Sequence, residues 1–302
     1  MDSFDHVINT LHTHRQLRDR GLSNRKIQTQ FESGVLTRIR RGIYVETATL
    51  RQLKPWERYA LDIRALYLRS PTLVFSHQSA LVIHSIATIS NPKKIHFYGG
   101  IQSRNTPVGS SNHPFLHDDL PFIQHYSGMR TTIIATTLID CAKTMPFEEA
   151  VIAADSALHQ GLISLDDLGE SMRGYSGRNK AAVWRVASAM SCLAESPGET
   201  LCRLFLDEVG LEYAEQYWVE LDGARYRGDF RLKRSGAFVE FDGEHKYTDY
   251  GDGAQVLFKE RERERRFINS GLPIFRVKWE DLRGNRILLR KRLFAFLERL
   301  PG

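Results

Sequence analysis

The segment GDFRLKRSGAFVEFDGEHKY, residues 228–247, decides how the chain is read, because it places three carboxylates and a lysine in what its pattern predicts to be one β-hairpin. In the first arm Tyr226, Gly228, Phe230 and Leu232 alternate with Arg227, Asp229 and Arg231, the period-2 signature of a strand with one apolar side. Lys233, Arg234, Ser235 and Gly236 form a polar, glycine-containing turn. The return arm, residues 238–242, puts Val239 and Phe241 on one face and Glu240 and Asp242 on the other. If the apolar sides of the two arms coincide, Asp229, Glu240 and Asp242 crowd together. Two carboxylates about 4 Å apart at an effective dielectric near 20 repel by roughly 4 kcal/mol. A divalent cation would relieve that repulsion.

Working outward, 302 residues exceed one ordinary single-core domain, so two or three domains are expected. No run of eighteen apolar residues occurs, and MDSFDHVINT carries acids and no basic stretch ahead of an apolar one. A cytoplasmic protein with no membrane partner is therefore expected. Cys141, Cys192 and Cys202 are odd in number and lack C-x-x-C spacing, which argues against a disulfide framework or a structural zinc site.

The net charge of +6 is unevenly spread. Arg15, Arg18, Arg20, Arg25, Lys26, Arg38, Arg40 and Arg41, against only Asp19 and Glu32, account for all of it. Here the pattern predicts a short helix through Gln16 and Leu17, a turn at Gly21, and a second helix from Asn24 to about Glu32, capped by Ser23 and stopped by Gly34. VLTRIRRGIYV then reads as two strands about a basic glycine turn at Arg41 and Gly42. Helix, turn, helix and wing result. GLSNRKIQTQFESGVLTRIRRGIYV resembles the winged-helix N-terminal domain of AbiEi-type antitoxins, which implies DNA binding by residues 1–50. By that resemblance Asn24, Arg25, Gln28 and Gln30 enter the major groove and Arg38, Arg40 and Arg41 contact phosphate. The blander alternative is a basic interaction module with a solvated face.

Residues 51–193 are expected to form an α/β linking domain. LKPWERYALDIRALYL predicts a helix after Pro55, SHQSALVIHSIA a helix capped by Ser76, KKIHFYG and LPFIQHY strands about a polar loop, and residues 134–193 further helices. His77 and His84 lie seven apart, with His113, His117 and His125 near the loop. A second metal site is conceivable there, but no acid or cysteine completes a ligand set at convincing spacing, and the pattern assigns the region no chemistry.

Residues 194–302 read α-β-β-β-α-β. Ser196-Pro197-Gly198-Glu199 opens the first helix as a capping box, AEQYWVEL is the first strand, the acidic hairpin follows, then a helix from about Ala254 to Asn269 and the strand PIFRVKW. Gln216, Gly228-Asp229-Phe230, Val239-Glu240-Phe241-Asp242-Gly243 and Phe275-Arg276-Val277, together with SPGET, resemble the PD-(D/E)XK nuclease superfamily, in particular its very-short-patch-repair-like endonuclease branch. The resemblance implies that Asp229 and Glu240 bind Mg²⁺ or Mn²⁺, that Glu199 orients a water or the metal shell, and that Lys246 supplies positive charge near the scissile phosphate. Asp242 stands where the superfamily has lysine, so that role would pass to Lys246 or His245. KERERERRF, 259–267, reads first as a salt-bridged solvated helix, with Lys259, Arg263 and Arg266 as candidate phosphate contacts. Expected overall is an α/β (α+β multidomain) protein acting as a DNA endonuclease, with phage defence or a toxin–antitoxin operon, and a partner protein from it, as the implied setting. A non-enzymatic DNA-binding regulator or antitoxin with a degenerate nuclease domain, or an RNA substrate, are the alternatives.

Overall fold

The computed structural model describes residues 3–99, 109–113, 122–221, 223–243 and 271–300. It is a mixed α+β architecture whose chain divides into two compact units, residues 1–157 with 161–188 and residues 158–160 with 189–302.

The first unit begins α1 (Ser3–Ile8), β1 (His12–Thr13), α2 (His14–Asp19), α3 (Asn24–Glu32), β2 (Leu36–Arg40) and β3 (Ile43–Glu46). The strands form an antiparallel sheet in the order β1-β3-β2. Thr13 and Gln16 build a reciprocal capping box at α2, and Ser23 Oγ accepts the Lys26 N–H at 3.2 Å to start α3. Leu17, Ile27, Leu36 and Tyr44 close a small core behind these helices. The two-residue β1 and the helix α1 were not foreseen, being too short for a period to show.

A larger core joins Val7, Ile8, Leu11, Ile43 and Val45 to Tyr59, Leu61, Ile63 and Leu66 of α5 (Pro55–Arg69), which follows α4 (Thr47–Gln52), and to Phe75 and Phe97. Residues 1–50 and the start of 51–193 thus share one apolar interior. Beyond α5 a five-stranded sheet runs in the order β6-β5-β4-β8-β7, from β4 (Val74–Phe75), β5 (Ile95–Tyr98), β6 (Ser110–His113), β7 (Ile123–Tyr126) and β8 (Met129–Thr132). The two strands expected about the polar loop, β5 and β7, are not neighbours; β5 pairs in parallel with β6, which arises inside that loop. Helices α6 (His77–Ile83), α7 (Ile134–Thr144), α8 (Phe147–His159), α9 (Leu165–Gly174) and α10 (Lys180–Ala189) complete the unit.

The second unit carries α11 (Pro197–Glu208), β9 (Tyr213–Leu221), β10 (Ala224–Leu232), β11 (Phe238–Asp242) and β12 (Ile274–Lys278), then α12 (Trp279–Arg283) and α13 (Arg286–Leu297), two helices the sequence pattern had not marked. The sheet order is β12-β11-β10-β9, antiparallel except for the parallel pair β11–β12. Its core is built from Phe205 and Leu206 of α11, Phe230 and Leu232 of β10, Phe238 and Val239 of β11 and Val277 of β12, all nearly inaccessible. Each such side chain contributes roughly 1.5–3 kcal/mol of burial. The expected helix over 254–269, with Lys259, Glu262, Arg263 and Arg266, lies outside the described residues, as do His117, His245 and Lys246.

Candidate functional site

Of the residues singled out in the second unit, Glu199, Gln216 and Asp229 lie where α11 starts and the β9–β10 ladder is interrupted. Ser196 Oγ accepts the Glu199 N–H at 3.2 Å, one half of the expected box. The Glu199 carboxylate does not return to the Ser196 N–H. It takes the Ser196 hydroxyl on Oε1 at 2.8 Å, and on Oε2 the Glu195 N–H at 3.0 Å and the Gln216 amide at 2.8 Å. An ionised carboxylate offers about four acceptor positions. Three are filled by donors among the described residues, so Glu199 is held in place.

Gln216 reaches Glu199 through a break in β9. Its φ of +50° lies in the left-handed region that non-glycine residues avoid. Ladder pairing between β9 and β10 runs from Ala224↔Leu221 to Leu232↔Tyr213 but omits Gln216 and the residue across from it, Asp229. In a regular strand successive side chains point to opposite faces. Here Glu215 approaches Arg203 of α11, Arg203 Nε to Glu215 Oε2 being 3.7 Å, and Gln216 also bonds α11 through Glu199. The left-handed residue turns two consecutive side chains onto one helix. Such backbone strain persists only where surrounding contacts determine it, and it clusters at functional positions.

Asp229, across from Gln216, accepts the Phe241 N–H on Oδ2 at 2.8 Å, beside Glu240. Cys202, one turn beyond Glu199, is fully buried; burial first, then the negative charges of Asp229 and Glu199, push its thiol well above the ordinary range. Both carboxylates therefore act on the same sulfur. Asp229, Glu240 and Glu199 are half-buried and Asp242 is exposed. The parallel β11–β12 register sets Arg276 next to Glu240 and Lys278 next to Asp242, bringing basic residues to the acidic strand that spacing along the sequence did not reveal. Arg227 pairs with Glu195 at 2.6 Å.

Two glycines in these motifs are packing requirements. A Cβ on Gly198 would lie 2.0 Å from Phe241 Cε1, and one on Gly228 2.4 Å from Phe238 Cδ1. The rings of β11 thus sit directly on the backbone of α11 and β10. Phe241 is braced on another side by Trp279, edge-on at 5.2 Å between centroids. The hard oxygen donors of Asp229 and Glu240 suit Mg²⁺ or Mn²⁺ by type. Among the described residues the three acids are not gathered into a three-ligand cluster within 4.8 Å.

In the first unit Asn24, Arg25 and Gln28 are exposed on α3, with the Gln28 amide donating to Glu32 Oε1 at 2.6 Å. Arg38 lies over the Phe31 ring at 4.8 Å and Arg41 is exposed beside Gly42. Arg40 differs from both. It is half-buried, its Nε has no hydrogen-bond partner among the described residues, and its charge pulls down an Asp62 carboxyl that burial pushes up more strongly. Arg40 therefore faces α5.

Of the histidines that sequence spacing offered for a second metal site, the structure gathers His77 and His113 and adds His96, which spacing had not marked. His77, His96 and His113, from α6, β5 and β6, each bring a ring nitrogen within 4.8 Å of the other two. His84, which spacing had coupled to His77, instead meets Thr131 Oγ1 at 3.0 Å and the Gln124 amide at 3.1 Å. His96 had shown no signal, because only the parallel pairing of β5 with β6 brings it to His113. Burial holds His77 down to about 2 and His96 to about 4, the neighbouring imidazoles adding to the effect, so the rings are neutral near pH 7.

No protein family matches the chain, and no curated protein does. Among solved structures, the crystal structure of the RV2827C protein from Mycobacterium tuberculosis is similar at a TM-score of 0.38 and 14% identity, over 65% of this chain and 75% of that one. A likeness of that size bears on neither fold family nor function.

Proposed function

We propose that the chain is a metal-dependent DNA endonuclease in which residues 1–50 act as a winged helix and the second unit as a PD-(D/E)XK nuclease of the very-short-patch-repair-like kind. The observation that carries the reading is the convergence of Glu199, Gln216 and Asp229 at the one interruption of the β9–β10 ladder, with Asp229 bonded across to the strand bearing Glu240. The order α-β-β-β followed by β12, with β11 and β12 parallel, agrees with that superfamily's core. The order α1-β1-α2-α3-β2-β3 with the sheet β1-β3-β2 agrees with a winged helix. The capped start of α3 then presents Asn24 and Arg25 where recognition helices meet the major groove. Arg38 and Arg41 are the wing residues suited to phosphate, and a partner protein in a defence or toxin–antitoxin setting remains part of the proposal.

Asp229 and Glu240 would hold Mg²⁺ or Mn²⁺. Such an ion supplies a Lewis acid that activates water and stabilises charge on the leaving oxygen. Glu199, fixed by its three donors, orients a water. The Phe241 N–H fixes the Asp229 carboxylate against β11, so the two strands present their acids together. Positive charge for the phosphate comes from Lys278, which the register sets beside Asp242, together with Lys246.

A second reading, a DNA-binding regulator with a degenerate nuclease site, is favoured by Asp242, an acid where the superfamily has its lysine. Plasmid nicking separates the two. The endonuclease nicks supercoiled plasmid with Mg²⁺ and not with EDTA, whereas a regulator retards the plasmid in both conditions and leaves it intact.

A further inference from the structure

Outside the carboxylate site, the histidine cluster of the first unit has no role in the proposed reaction. Its rings stack almost in parallel: His77 on His113 at 4.1 Å between centroids and 17°, and His96 on His113 at 5.3 Å and 15°. His96 Nδ1 and His113 Nε2 are 3.0 Å apart and share one hydrogen bond. His77 is fixed from behind. Its Nδ1 lies 2.9 Å from Ser76 Oγ and 3.8 Å from Asp140 Oδ2, and it opens α6 at a φ of +51°. A non-glycine residue in that conformation is strained, and only strong local demands sustain it. Ser76 provides no side-chain cap for α6, its Oγ lying instead against His77 Nδ1. The strain thus serves to present His77 to the other two rings.

We infer that His77, His96 and His113 form a binding site for one divalent transition-metal ion of the Zn²⁺ class. Three neutral imidazoles are the donor set that Zn²⁺, Co²⁺ and Ni²⁺ prefer over oxygen-seeking Mg²⁺. Nitrogens bound tetrahedrally at 2.0–2.1 Å stand about 3.3 Å apart, against the 4.8 Å limit within which these lie, so ring rotation brings them to the ion. The ion replaces the His96–His113 hydrogen bond. Asp140 acts as an outer partner and not a fourth ligand, because Lys143 holds Oδ1 at 2.7 Å and the Tyr98 hydroxyl holds Oδ2 at 2.8 Å. With its Nδ1–H given to Ser76 Oγ at 2.9 Å, His77 keeps Nε2 to bind, and the Asp140 carboxylate stands 3.8 Å behind the ring. Three protein ligands leave a fourth position for water or a substrate atom, and His96 and His113 are only half-buried. The site stands independently of the nuclease reading.

The test uses the full chain, stripped with a chelator and titrated with Co²⁺, whose visible d–d absorption reports nitrogen coordination, followed by displacement with Zn²⁺. The wild type and Asp229→Asn should both develop the absorption at one equivalent and lose it to Zn²⁺. His113→Gln and, separately, His96→Gln should lose at least ten-fold in affinity while keeping the metal-free far-UV spectrum and thermal midpoint. No d–d absorption in the wild type, or absorption unchanged in both folded histidine variants, would overturn the proposal.

Discussion

Replacing Gly198 by alanine adds one methyl group at the point where α11 rests on Phe241. Built on the present backbone, the new Cβ stands 2.0, 2.2 and 2.5 Å from Phe241 Cε1, Cζ and Cδ1. Carbon atoms in contact sit about 3.5–4.0 Å apart, so the ring must withdraw by more than an ångström. Trp279 lies in its way. Overpacking of this kind costs about 1–3 kcal/mol, while alanine's helix preference over glycine returns at most about 1 kcal/mol. The net expectation is a loss of roughly 1–2 kcal/mol from the second unit, a fall in its unfolding midpoint on the order of 5–10 °C. Cleavage should fall further than stability, because the Phe241 N–H holds Asp229 and the same residue adjoins Glu240. Urea unfolding of Gly198→Ala, Phe241→Ala and the double variant isolates the contact: with the ring gone, Gly198→Ala becomes neutral or stabilising, a coupling of about 1–3 kcal/mol. A neutral or stabilising Gly198→Ala in the wild-type background would refute the reasoning.

Three further outcomes follow from the geometry. Arg38→Ala with Arg41→Ala flattens the plot of log DNA affinity against log salt by up to about 0.9 per lost phosphate contact, whereas Arg40→Ala, which faces Asp62, lowers stability and leaves the slope unchanged; equal slopes for wild type and double variant would sink the wing assignment. His84 is 2% exposed and burial lowers it to about 4, so the unfolded chain takes up its proton near pH 6.5 while the folded one does not until about 4. Its contribution is complete above about pH 6.5 and is lost on the way down to 4, on the order of 3 kcal/mol, and His84→Gln should flatten the urea-midpoint profile in that window and not above it. Site selection on the full chain should return a motif that Asn24→Ala or Arg25→Ala blurs, at about 1–3 kcal/mol per bidentate contact, and no enriched motif would remove base reading from α3.

Much of the architecture was legible because it rests on local rules. Ser23 and Ser196 mark helix starts by side-chain capping bonds, Pro55 by its fixed φ and Gly34 a helix end by its positive φ, all effects confined to near neighbours, and alternation along 226–232 marked a strand directly. What escaped the sequence was set by partners distant in the chain. β4 has two residues and β6 four polar ones, so neither shows a period, and each is a strand only through its neighbours. The irregularity at Gln216 is invisible for the same reason: AEQYWVEL reads as a uniform strand, yet contacts with α11 force one residue into left-handed geometry. Asp229 and Glu240 could be chosen from spacing. Lys278 could not, since its place beside Asp242 comes from the parallel pairing of β11 with a strand more than thirty residues further along the chain. The histidine cluster joins an element end to two parallel strands, an arrangement that seven-residue spacing along one helix could not suggest.

The central claim is that Asp229 and Glu240 hold the ion that drives phosphodiester hydrolysis. Its most direct measurement is the rate of supercoiled-plasmid nicking across a Mg²⁺ titration for the wild type, Asp229→Asn and Glu240→Gln, with unfolding midpoints recorded alongside. The account predicts Mg²⁺-dependent nicking by the wild type and its loss by at least a hundred-fold in both variants, each still folded. Nicking that persists in both folded variants with the same Mg²⁺ dependence would contradict it.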